Sequence, residues 1–198
     1  PLHHTFEFSC GMLLPLSRGS EITYLDELTA DRLGEAFDTA NVTAMIGVPA
    51  LWQLLHRRIT QELGNQPKLV EQGMKALMGA NAELRNRGDL NLGKLLFWPV
   101  HRKLGGRLRY LVSGASALSP DVHEAFHSMG FNITEGYGLT EASPVLAVTP
   151  VQNKLVTGSV GRPLVGVEIK LFEPDAEGIG EVLAKGPNVM QGYFENRE

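Results

Sequence analysis

The sequence predicts an α/β fold in which a parallel β-sheet is flanked by helices and is followed by part of a β-barrel-like antiparallel unit. Three observations support this prediction. Between residues 41 and 138, strand-like apolar segments alternate with amphipathic helical segments, as in βαβ units. Two of these strand-like segments end in loops that contain glycine. After about residue 150, short alternating segments separated by Gly and Pro replace the helical pattern, as in antiparallel sheets.

The first strand and helix are predicted on either side of Pro49. Residues 41–49 read as a buried strand that this proline ends, and residues 50–63 read as an amphipathic helix. The apolar residues of that helix are spaced to share one face: Leu51, Leu54, Leu55 and Ile59. Residues 67–104 are rich in helix formers with a break near 86–89, so we expect two helices there.

The next unit is predicted to be strand, helix and strand. Residues 107–114 form a strand that runs into a Gly-Ala-Ser loop. The following helix has Ser119 at its N-cap, Pro120 at its first position and Gly130 after its end. Residues 131–138 form the next strand and loop.

The chain is predicted to divide near residue 150. Residues 1–150 form the α/β part, and residues 151–198 form the start of a β-rich subdomain. Within the second part, residues 167–172 and 181–186 alternate apolar and polar side chains, as half-exposed antiparallel strands do.

Composition points to a globular protein in a reducing compartment. Hydrophobic residues make up 43% of the 198 residues and charged residues 20%, which is ordinary for a soluble domain. The one cysteine, Cys10, excludes an internal disulfide framework, and its apolar neighbours favour a small buried thiol over a catalytic one. The apolar run 12–16 is too short to span a membrane. We therefore predict a cytoplasmic protein.

Charge is unevenly distributed along the chain. Residues 57–110 hold eleven basic and four acidic residues, a net charge of +7, whereas the segments on either side are acidic. One interpretation is a solvated helical face. The other is a surface for anionic lipid headgroups or a phosphate-bearing partner, which would place the protein peripherally at the membrane. No nucleic-acid partner is predicted.

Two loops, 113–118 and 135–141, follow predicted parallel strands, and ligands bind at that edge of open α/β sheets. Gly114 and Ala115 allow the backbone to approach a flat base closely. Tyr137 offers a ring on which an adenine can stack. The residue types of both loops therefore suit a nucleotide.

The polar residues of the second loop suit the rest of an adenylate. Glu135 can accept a hydrogen bond from an exocyclic amino group, Thr140 can donate to a phosphate oxygen, and Glu141 is a hard oxygen ligand for Mg²⁺. The alternative is a glycine-rich turn with a packed Tyr137 and a solvated Glu141. Neither loop matches a dinucleotide fingerprint, a nucleophile elbow or a Walker motif.

The sequence Glu-Gly-Tyr-Gly-Leu-Thr-Glu at 135–141 resembles the Tyr-Gly-x-Thr-Glu signature of the adenylate-forming (AMP-binding) superfamily, which includes acyl-CoA synthetases, luciferases and peptide-synthetase adenylation domains. Other segments of the chain resemble further blocks of the same family, in the same order. Residues 1–8 resemble the acyl-pocket Pro-x-x-His motif, and residues 111–119 resemble the Ser-Gly-Gly-Ala-Pro-Leu loop. Residues 158–171 and 180–198 resemble the blocks that lead into the β-barrel. Ala115 and Ser116 replace the usual Gly/Ala and Pro. The helical segment 57–105 and the residues 101–119 look most like long-chain fatty acid–CoA ligases.

The resemblance implies ATP-dependent activation of a long-chain fatty acid. The carboxylate attacks the α-phosphorus of ATP, pyrophosphate leaves, and coenzyme A then takes the acyl group and releases AMP. The expected cofactors and partners are ATP/AMP, Mg²⁺, coenzyme A and the fatty acid. The implied nucleotide-binding residues are Gly114, Ala115, Ser116, Glu135, Gly136, Tyr137, Gly138, Leu139 and Thr140. The implied catalytic residues are Thr140, Glu141, which is also the metal ligand, and His4, which orients the substrate carboxylate.

Several residues have competing interpretations. His3, His4 and Glu7 could form a metal cluster, but adjacent histidines on a strand point to opposite faces, which makes joint ligation awkward. His4 could equally be an ordinary interior histidine. Phe8 is either core or acyl-pocket lining. Arg162 is predicted to form a structural ion pair.

We expect the chain to be a fragment of a longer enzyme and to be inactive alone. It lacks an initiator Met and ends within the last resembled block. The resemblance places a phosphate loop upstream, and a ribose-binding Asp and a C-terminal domain with a catalytic Lys downstream. Two alternatives stay open: transfer of the acyl group to a carrier protein, and a non-catalytic nucleotide-binding or interaction module.

Overall fold

A computed structural model describes residues 2–151 and 154–196. The chain opens with a π-helical segment, Glu7–Leu13, that continues into a short α-helix. The helices are α1 (Leu14–Ser17), α2 (Ala30–Thr39), α3 (Pro49–Gly64), α4 (Lys68–Gly88), α5 (Gly93–Leu96), α6 (Trp98–Lys103) and α7 (Pro120–Ser128), with a 3₁₀ turn at Thr140–Ala142. The strands are β1 (Ala44–Gly47), β2 (Tyr110–Ser113), β3 (Ile133–Gly138), β4 (Val145–Val148), β5 (Arg162–Pro163), β6 (Glu168–Phe172) and β7 (Glu181–Lys185).

The larger sheet has the order β1-β2-β3-β4-β5. Strands β1, β2 and β3 are parallel, whereas β4 and β5 are antiparallel to their neighbours. Strands β6 and β7 form a separate antiparallel pair. The helices together with these two sheets confirm the predicted α/β fold class, and the larger sheet is mixed because β3 is followed by antiparallel strands.

Helix α3 begins at Pro49, one residue before the predicted start, because proline has a fixed φ that suits the first helical turn. Leu51 and Leu55 are buried, and Ile59 is half-buried against the same core. Trp52 is the most buried side chain of this helix, with 0% exposed, although it was not among the predicted apolar face. Its ring meets Phe126 of α7 edge-on, with 6.1 Å between centroids.

Helix α7 closes over the sheet next to β3. Pro120 occupies its first turn, as predicted, but the Ser119 side chain makes no capping hydrogen bond. Gly130 follows the helix with φ +92°, and Gly93 at the start of α5 lies against it. A Cβ on Gly93 would approach the Gly130 Cα to 2.3 Å, so neither position has room for a side chain.

The segment 67–104 contains three helices, so the prediction of two is wrong. Helix α4 runs 21 residues to Gly88, and Asp89 then takes a left-handed conformation with φ +53°. The remainder splits into α5 and α6 at Phe97, whose φ of −112° is not helical. Pro99 in the first turn of α6 explains the split, because it has no N–H to continue the preceding helix.

Two buried polar residues of α4 hold the turn between α7 and β3. The Arg85 guanidinium is fully buried and donates to the carbonyls of His127 at 2.5 Å and Phe131 at 3.1 Å, as well as to the Asn132 side chain. Burial lowers the pKa of Arg85 to about 10. Asn81 donates to the Ser128 carbonyl at 2.9 Å. Helix α4 is therefore joined to the α7–β3 turn without a carboxylate.

In the described part of the chain, no helix is both long and apolar enough to cross a membrane.

Candidate functional site

The two predicted ligand loops lie side by side at one edge of the larger sheet. Strands β2 and β3 are parallel neighbours, and Ser113 pairs in register with Glu135. Gly114 directly follows β2, whereas residues 135–138 of the second predicted loop belong to β3, so that loop begins only after Gly138. The two segments still lie together, because the carboxyl ends of parallel strands meet at one edge. This juxtaposition is the one that the sequence predicted.

The first loop is held close to an aromatic ring from the N-terminal segment. A Cβ on Gly114 would lie 2.6 Å from the Phe6 ring, so only glycine lets that ring pack here. Ala115 has φ +71°, a left-handed conformation that costs a non-glycine residue about 1–2 kcal/mol. Ala115 and Ser116 are exposed. The close approach predicted for a base at Gly114 is made in this structure by Phe6.

Glu135 points into the fold. Its carboxylate is 6% exposed; Oε2 accepts a hydrogen bond from the Leu118 N–H at 3.2 Å, and Oε1 lies 3.2 Å from His123 Nδ1. The side chain thus ties the first loop to β3 and α7. The predicted hydrogen bond from a base to this carboxylate requires an outward orientation, and the structure places it inward instead.

Tyr137 is half-buried and packs against a small cluster formed by Ala142, Leu146 and Val167. The sheet changes register between Tyr137 and Gly138, where a β-bulge lies. A Cβ on Gly138 would lie less than 2 Å from the Pro144 carbonyl oxygen. The position after Tyr137 must therefore be glycine. A Cβ on Gly136 would make only an ordinary contact with the Ser113 carbonyl oxygen at 4.0 Å, and Leu139 is 41% exposed.

Thr140 and Glu141 begin a 3₁₀ turn at the end of the second loop. The Thr140 hydroxyl lies 3.2 Å from the Thr5 hydroxyl. Glu141 Oε1 accepts a hydrogen bond from the Tyr193 hydroxyl at 2.6 Å, which lowers the pKa of Glu141 and, together with the negative charge, raises the pKa of Tyr193. The Met190 N–H donates to the Glu141 carbonyl at 2.8 Å.

Sequence reasoning did not identify Thr5 or Tyr193 as site residues. Both lie inside the resembled blocks at 1–8 and 180–198, yet no spacing pattern connects them with Thr140 and Glu141. Their side chains meet the second loop only through the tertiary fold, across 135 and 52 residues of chain. Pro1 of the acyl-pocket motif and residues 197–198 of the last block lie outside the described residues.

The N-terminal histidines are not on a strand, so that part of the sequence interpretation is wrong. His3 and His4 lie in the turn before the π-helical segment, exposed, with ring centroids 4.7 Å apart. The Glu7 carboxylate instead lies over Gly11 of its own helix. Among residues 2–151 and 154–196, no group of three metal-ligating side chains is assembled. His4 is therefore a surface residue here rather than an interior one.

Three other predictions concern single side chains. Phe8 is 41% exposed, which decides against a core position. Cys10 is half-buried, and burial raises the pKa of its thiol, as expected for an unreactive cysteine. Arg162 is exposed on β5 and forms no ion pair with any residue that the structure describes, so the predicted structural ion pair is wrong.

The oxygen groups at Thr140 and Glu141 fit a magnesium ion held mainly by a substrate. One carboxylate oxygen of Glu141 accepts a hydrogen bond from the Tyr193 hydroxyl, and the adjacent residue Thr140 is exposed. Mg²⁺ is usually bound by one or two carboxylates together with phosphate oxygens and water. One carboxylate beside an open loop suits that arrangement.

Comparison with known proteins gives consistent results. The family profile described as AMP-binding enzyme matches residues 1–194. Long-chain-fatty-acid–CoA ligase 2 of Schizosaccharomyces pombe is 31% identical over 100% of this chain and 31% of its own length. A long-chain-fatty-acid–[acyl-carrier-protein] ligase of Arabidopsis thaliana, AEE15, is 33% identical over 52% of this chain and 15% of its own.

Solved structures share the fold. ATP-bound MatB from Rhodopseudomonas palustris superposes with a TM-score of 0.64 at 23% identity and covers 98% of this chain. A malonyl-CoA ligase complex with methylmalonyl-CoA and AMP gives a TM-score of 0.66 at 24% identity over the whole chain. At these identities the likeness establishes the fold alone. The chain spans about a third of the length of these proteins and of the Schizosaccharomyces relative.

Proposed function

The chain belongs to the family of AMP-binding enzymes, and from that premise we propose that it supplies the nucleotide-binding part of a ligase that converts a long-chain fatty acid to its acyl-CoA through an acyl-adenylate. The observation that carries the proposal is the pairing of the two predicted loops at one sheet edge. There, Tyr137, Thr140 and Glu141 lie beside the N-terminal segment that contains His4.

The proposed chemistry has two steps. In the first, a carboxylate oxygen of the fatty acid attacks the α-phosphorus of ATP, and the bond to the β-phosphate oxygen breaks to release pyrophosphate. In the second, the thiol of coenzyme A attacks the acyl carbon, and AMP leaves. No protein group forms a covalent bond, so the contribution of the chain is alignment and charge stabilisation.

The proposed residue roles are those that the family resemblance implies. The half-buried Tyr137 ring stacks on the adenine, an interaction worth about 1–3 kcal/mol by analogy with other aromatic–base contacts. The Thr140 hydroxyl donates to an α-phosphate oxygen in place of its contact with Thr5. The exposed His4 orients the fatty acid carboxylate. Gly114, Ala115 and Ser116 line the base and acyl pocket.

Glu141 is proposed to hold Mg²⁺ together with the phosphates of ATP. When bound there, Mg²⁺ would supply positive charge to the phosphate oxygens, with Glu141 as its protein ligand. The hydrogen bond from Tyr193 lowers the pKa of the Glu141 carboxylate and holds its Oε1, which leaves Oε2 as the oxygen that would face the ion.

Long-chain acids are the proposed substrate class because a Schizosaccharomyces pombe relative that matches along the entire chain is named a long-chain-fatty-acid–CoA ligase. A carrier protein is a second candidate acceptor, since the Arabidopsis thaliana relative AEE15 is named for transfer to acyl carrier protein. The two candidates differ only in the thiol that accepts the acyl group. We propose a cytoplasmic location for the reaction.

The test is carboxylate-dependent release of pyrophosphate by the full-length protein with ATP, Mg²⁺ and fatty acids from short to very long. We expect a maximum at long chains, and Glu141→Ala should lower the rate about 100-fold or more. Glu124→Ala, which removes an exposed carboxylate on α7, is the matched control and should retain the rate.

The outcomes separate the alternatives. Near-normal release by Glu141→Ala would remove Glu141 from the metal role. Release that leads to thioester with acyl carrier protein but not with free coenzyme A would assign the second acceptor. A folded protein that binds ATP but releases no pyrophosphate with any acid would instead be a nucleotide-binding module.

A further inference from the structure

A cavity of about 220 Å³ opens at the amino end of β3. Ile133 and Thr134 at the start of this strand line the cavity, whereas Tyr137 lies toward the other end of the strand. The remaining walls come from α7, from the residues that follow β4 and from the segment 154–162, which leads into β5. The cavity is therefore separate from the two loops of the candidate site.

Apart from two histidines, the ionisable side chains that line the cavity are cations. Lys154 and Arg162 are exposed, and neither forms an ion pair within residues 2–151 and 154–196. Neither Asp nor Glu occurs among the lining residues that the structure describes. Ser159 Oγ accepts a hydrogen bond from the Gly161 N–H at 3.1 Å, so its O–H can donate, as can that of Thr134. An anion in the cavity would therefore meet positive charge and hydrogen-bond donors.

A third cation lies directly behind the cavity wall. The buried Arg85 guanidinium donates to the Phe131 carbonyl at 3.1 Å and to the Asn132 side chain, and both of these residues line the cavity. Burial, Arg85 and His123 together lower the pKa of His127, a further lining residue, to about 4. The contribution of Arg85 to this low pKa indicates that its positive charge extends to the wall.

Backbone contacts fix the walls that carry the exposed cations. Arg162 pairs in register with Val148 between β5 and β4. A Cβ on Gly161 would overlap the Val148 carbonyl oxygen, so glycine is required directly before Arg162. On the other side of the cavity, the Leu155 N–H donates to the Asn86 side chain of α4 at 3.1 Å. Both cations therefore project from, or directly beside, anchored backbone.

We propose that this cavity binds a phosphate group, either free or as the ester of a small molecule, with Arg162 and Lys154 as its direct ligands. The guanidinium offers parallel N–H donors that match two phosphate oxygens, and the ammonium adds a compact positive charge. The cavity is smaller than the roughly 300–1,000 Å³ of pockets for drug-sized ligands. Its size therefore favours a phosphate with a short ester over a complete nucleotide.

This site is independent of the proposed reaction, because none of its lining residues belongs to the two loops that are proposed to hold ATP. A phosphate bound here would lie at one end of β3 and the adenylate at the other. The two sites can therefore be occupied at the same time, and the experiment uses this difference.

The first test measures binding of inorganic phosphate to the full-length protein by isothermal titration calorimetry, at constant ionic strength and with saturating AMP. The AMP keeps phosphate out of the candidate site. Arg162→Gln should raise the dissociation constant for phosphate about tenfold, because it removes a charge-assisted hydrogen bond. Arg107→Gln, the matched control, removes the same charge from an exposed arginine outside the cavity and should leave the affinity unchanged.

Glycerol 3-phosphate, titrated in the same way, distinguishes the two sources of the phosphate group. Tighter binding of this ester than of inorganic phosphate would assign a small phosphate ester as the ligand, and the reverse order would assign the free ion. Either order supports the site if Arg162→Gln weakens the binding and Arg107→Gln does not.

The second test locates the bound phosphate by NMR of the histidine rings. At pH 7 the ring of His127 is neutral because of its low pKa, so a change in its resonances reports the nearby anion rather than protonation. Phosphate should move these resonances in the wild type and in Arg107→Gln, and much less in Arg162→Gln at the same concentration. No saturable binding, binding that AMP abolishes, equal losses in the two variants, or unchanged His127 resonances would each overturn the proposal.

Discussion

At the scale of single residues, Ala115 is the clearest departure from local conformational preference in the candidate site. It holds a left-handed conformation between Gly114 and Ser116. The conformation persists because its neighbours are fixed: Gly114 lies under the Phe6 ring, and Leu118 is hydrogen-bonded to Glu135. The surrounding contacts thus determine the backbone at this position.

Replacing Ala115 with glycine should relieve this strain. We expect Ala115→Gly to be neutral to stabilising, by up to about 1 kcal/mol, because the relieved strain is partly offset by the greater entropy of glycine in the unfolded chain. Ala117→Gly, at an exposed loop position without positive φ, should instead destabilise by about 0.4–1 kcal/mol, because glycine gives the unfolded chain more conformational freedom. Thermal denaturation of the two variants measures the change in the free energy of unfolding that each causes. Equal losses of stability in both would show that Ala115 is not strained.

A second residue-scale prediction concerns the ionisation of Glu141. The Tyr193 hydroxyl lowers the pKa of Glu141, so Tyr193→Phe should move that pKa back up toward its ordinary value. In the Tyr193→Phe variant, the Glu141 carboxylate therefore becomes protonated at a higher pH than in the wild type. Any stabilisation that the ionised group gives the fold is present above the unfolded pKa and disappears as pH falls through the folded one.

The measurement is an NMR titration of the Glu141 side chain in both proteins. Magnesium-dependent ATP binding should follow the same order, with the variant losing binding at a higher pH than the wild type. Identical titration curves would show that the Tyr193 hydrogen bond does not control the carboxylate.

At the scale of elements, helix α4 acts through its buried polar face. Arg85 and Asn81 lie one turn apart and reach the carbonyls at the α7–β3 turn, from which β3 leads directly to Tyr137. The helix therefore positions the strand that carries the second loop. A sequence pattern would assign Arg85 to a solvated basic face, and its burial could not be recognised from charge alone.

Removing the Arg85 guanidinium should destabilise the fold strongly. Arg85→Ala leaves the buried His127 and Phe131 carbonyls without these donors, and we expect a loss of about 2–4 kcal/mol in the free energy of unfolding. Arg87→Ala, two residues along, removes only an exposed ion pair with Glu83 and should cost less than about 1 kcal/mol. Urea denaturation of the two variants measures both losses in the free energy of unfolding. Similar losses would show that the buried contacts of Arg85 do not stabilise the fold.

At the scale of the whole molecule, local signals in the sequence predicted the fold well. Pro49 marks the junction of β1 and α3, and Gly114 after β2 and Gly138 at the end of β3 mark the sheet edge. These features depend on residues close together in the chain. The antiparallel addition of β4 and β5 to the same sheet depends on long-range pairing, and the sequence gives no comparable signal for it.

The candidate site was predictable only in part, for the same reason. Tyr137, Thr140 and Glu141 stand within one short motif and were identified together. The inward orientation of Glu135 depends on His123 and Leu118, which come from α7 and the other loop. Thr5 and Tyr193 reach the motif from opposite ends of the chain. Such contacts are properties of the folded chain rather than of any sequence window.

The contact between Tyr193 and Glu141 also bears on biosynthesis. The two residues are 52 positions apart, so Glu141 leaves the ribosome before its partner has been made. At typical elongation rates the interval is roughly 3–10 s. During this time the sheet edge can form, but its acidic group lacks the hydroxyl that orients it. A nascent chain therefore gains the ordered carboxylate only after Tyr193 has been synthesised.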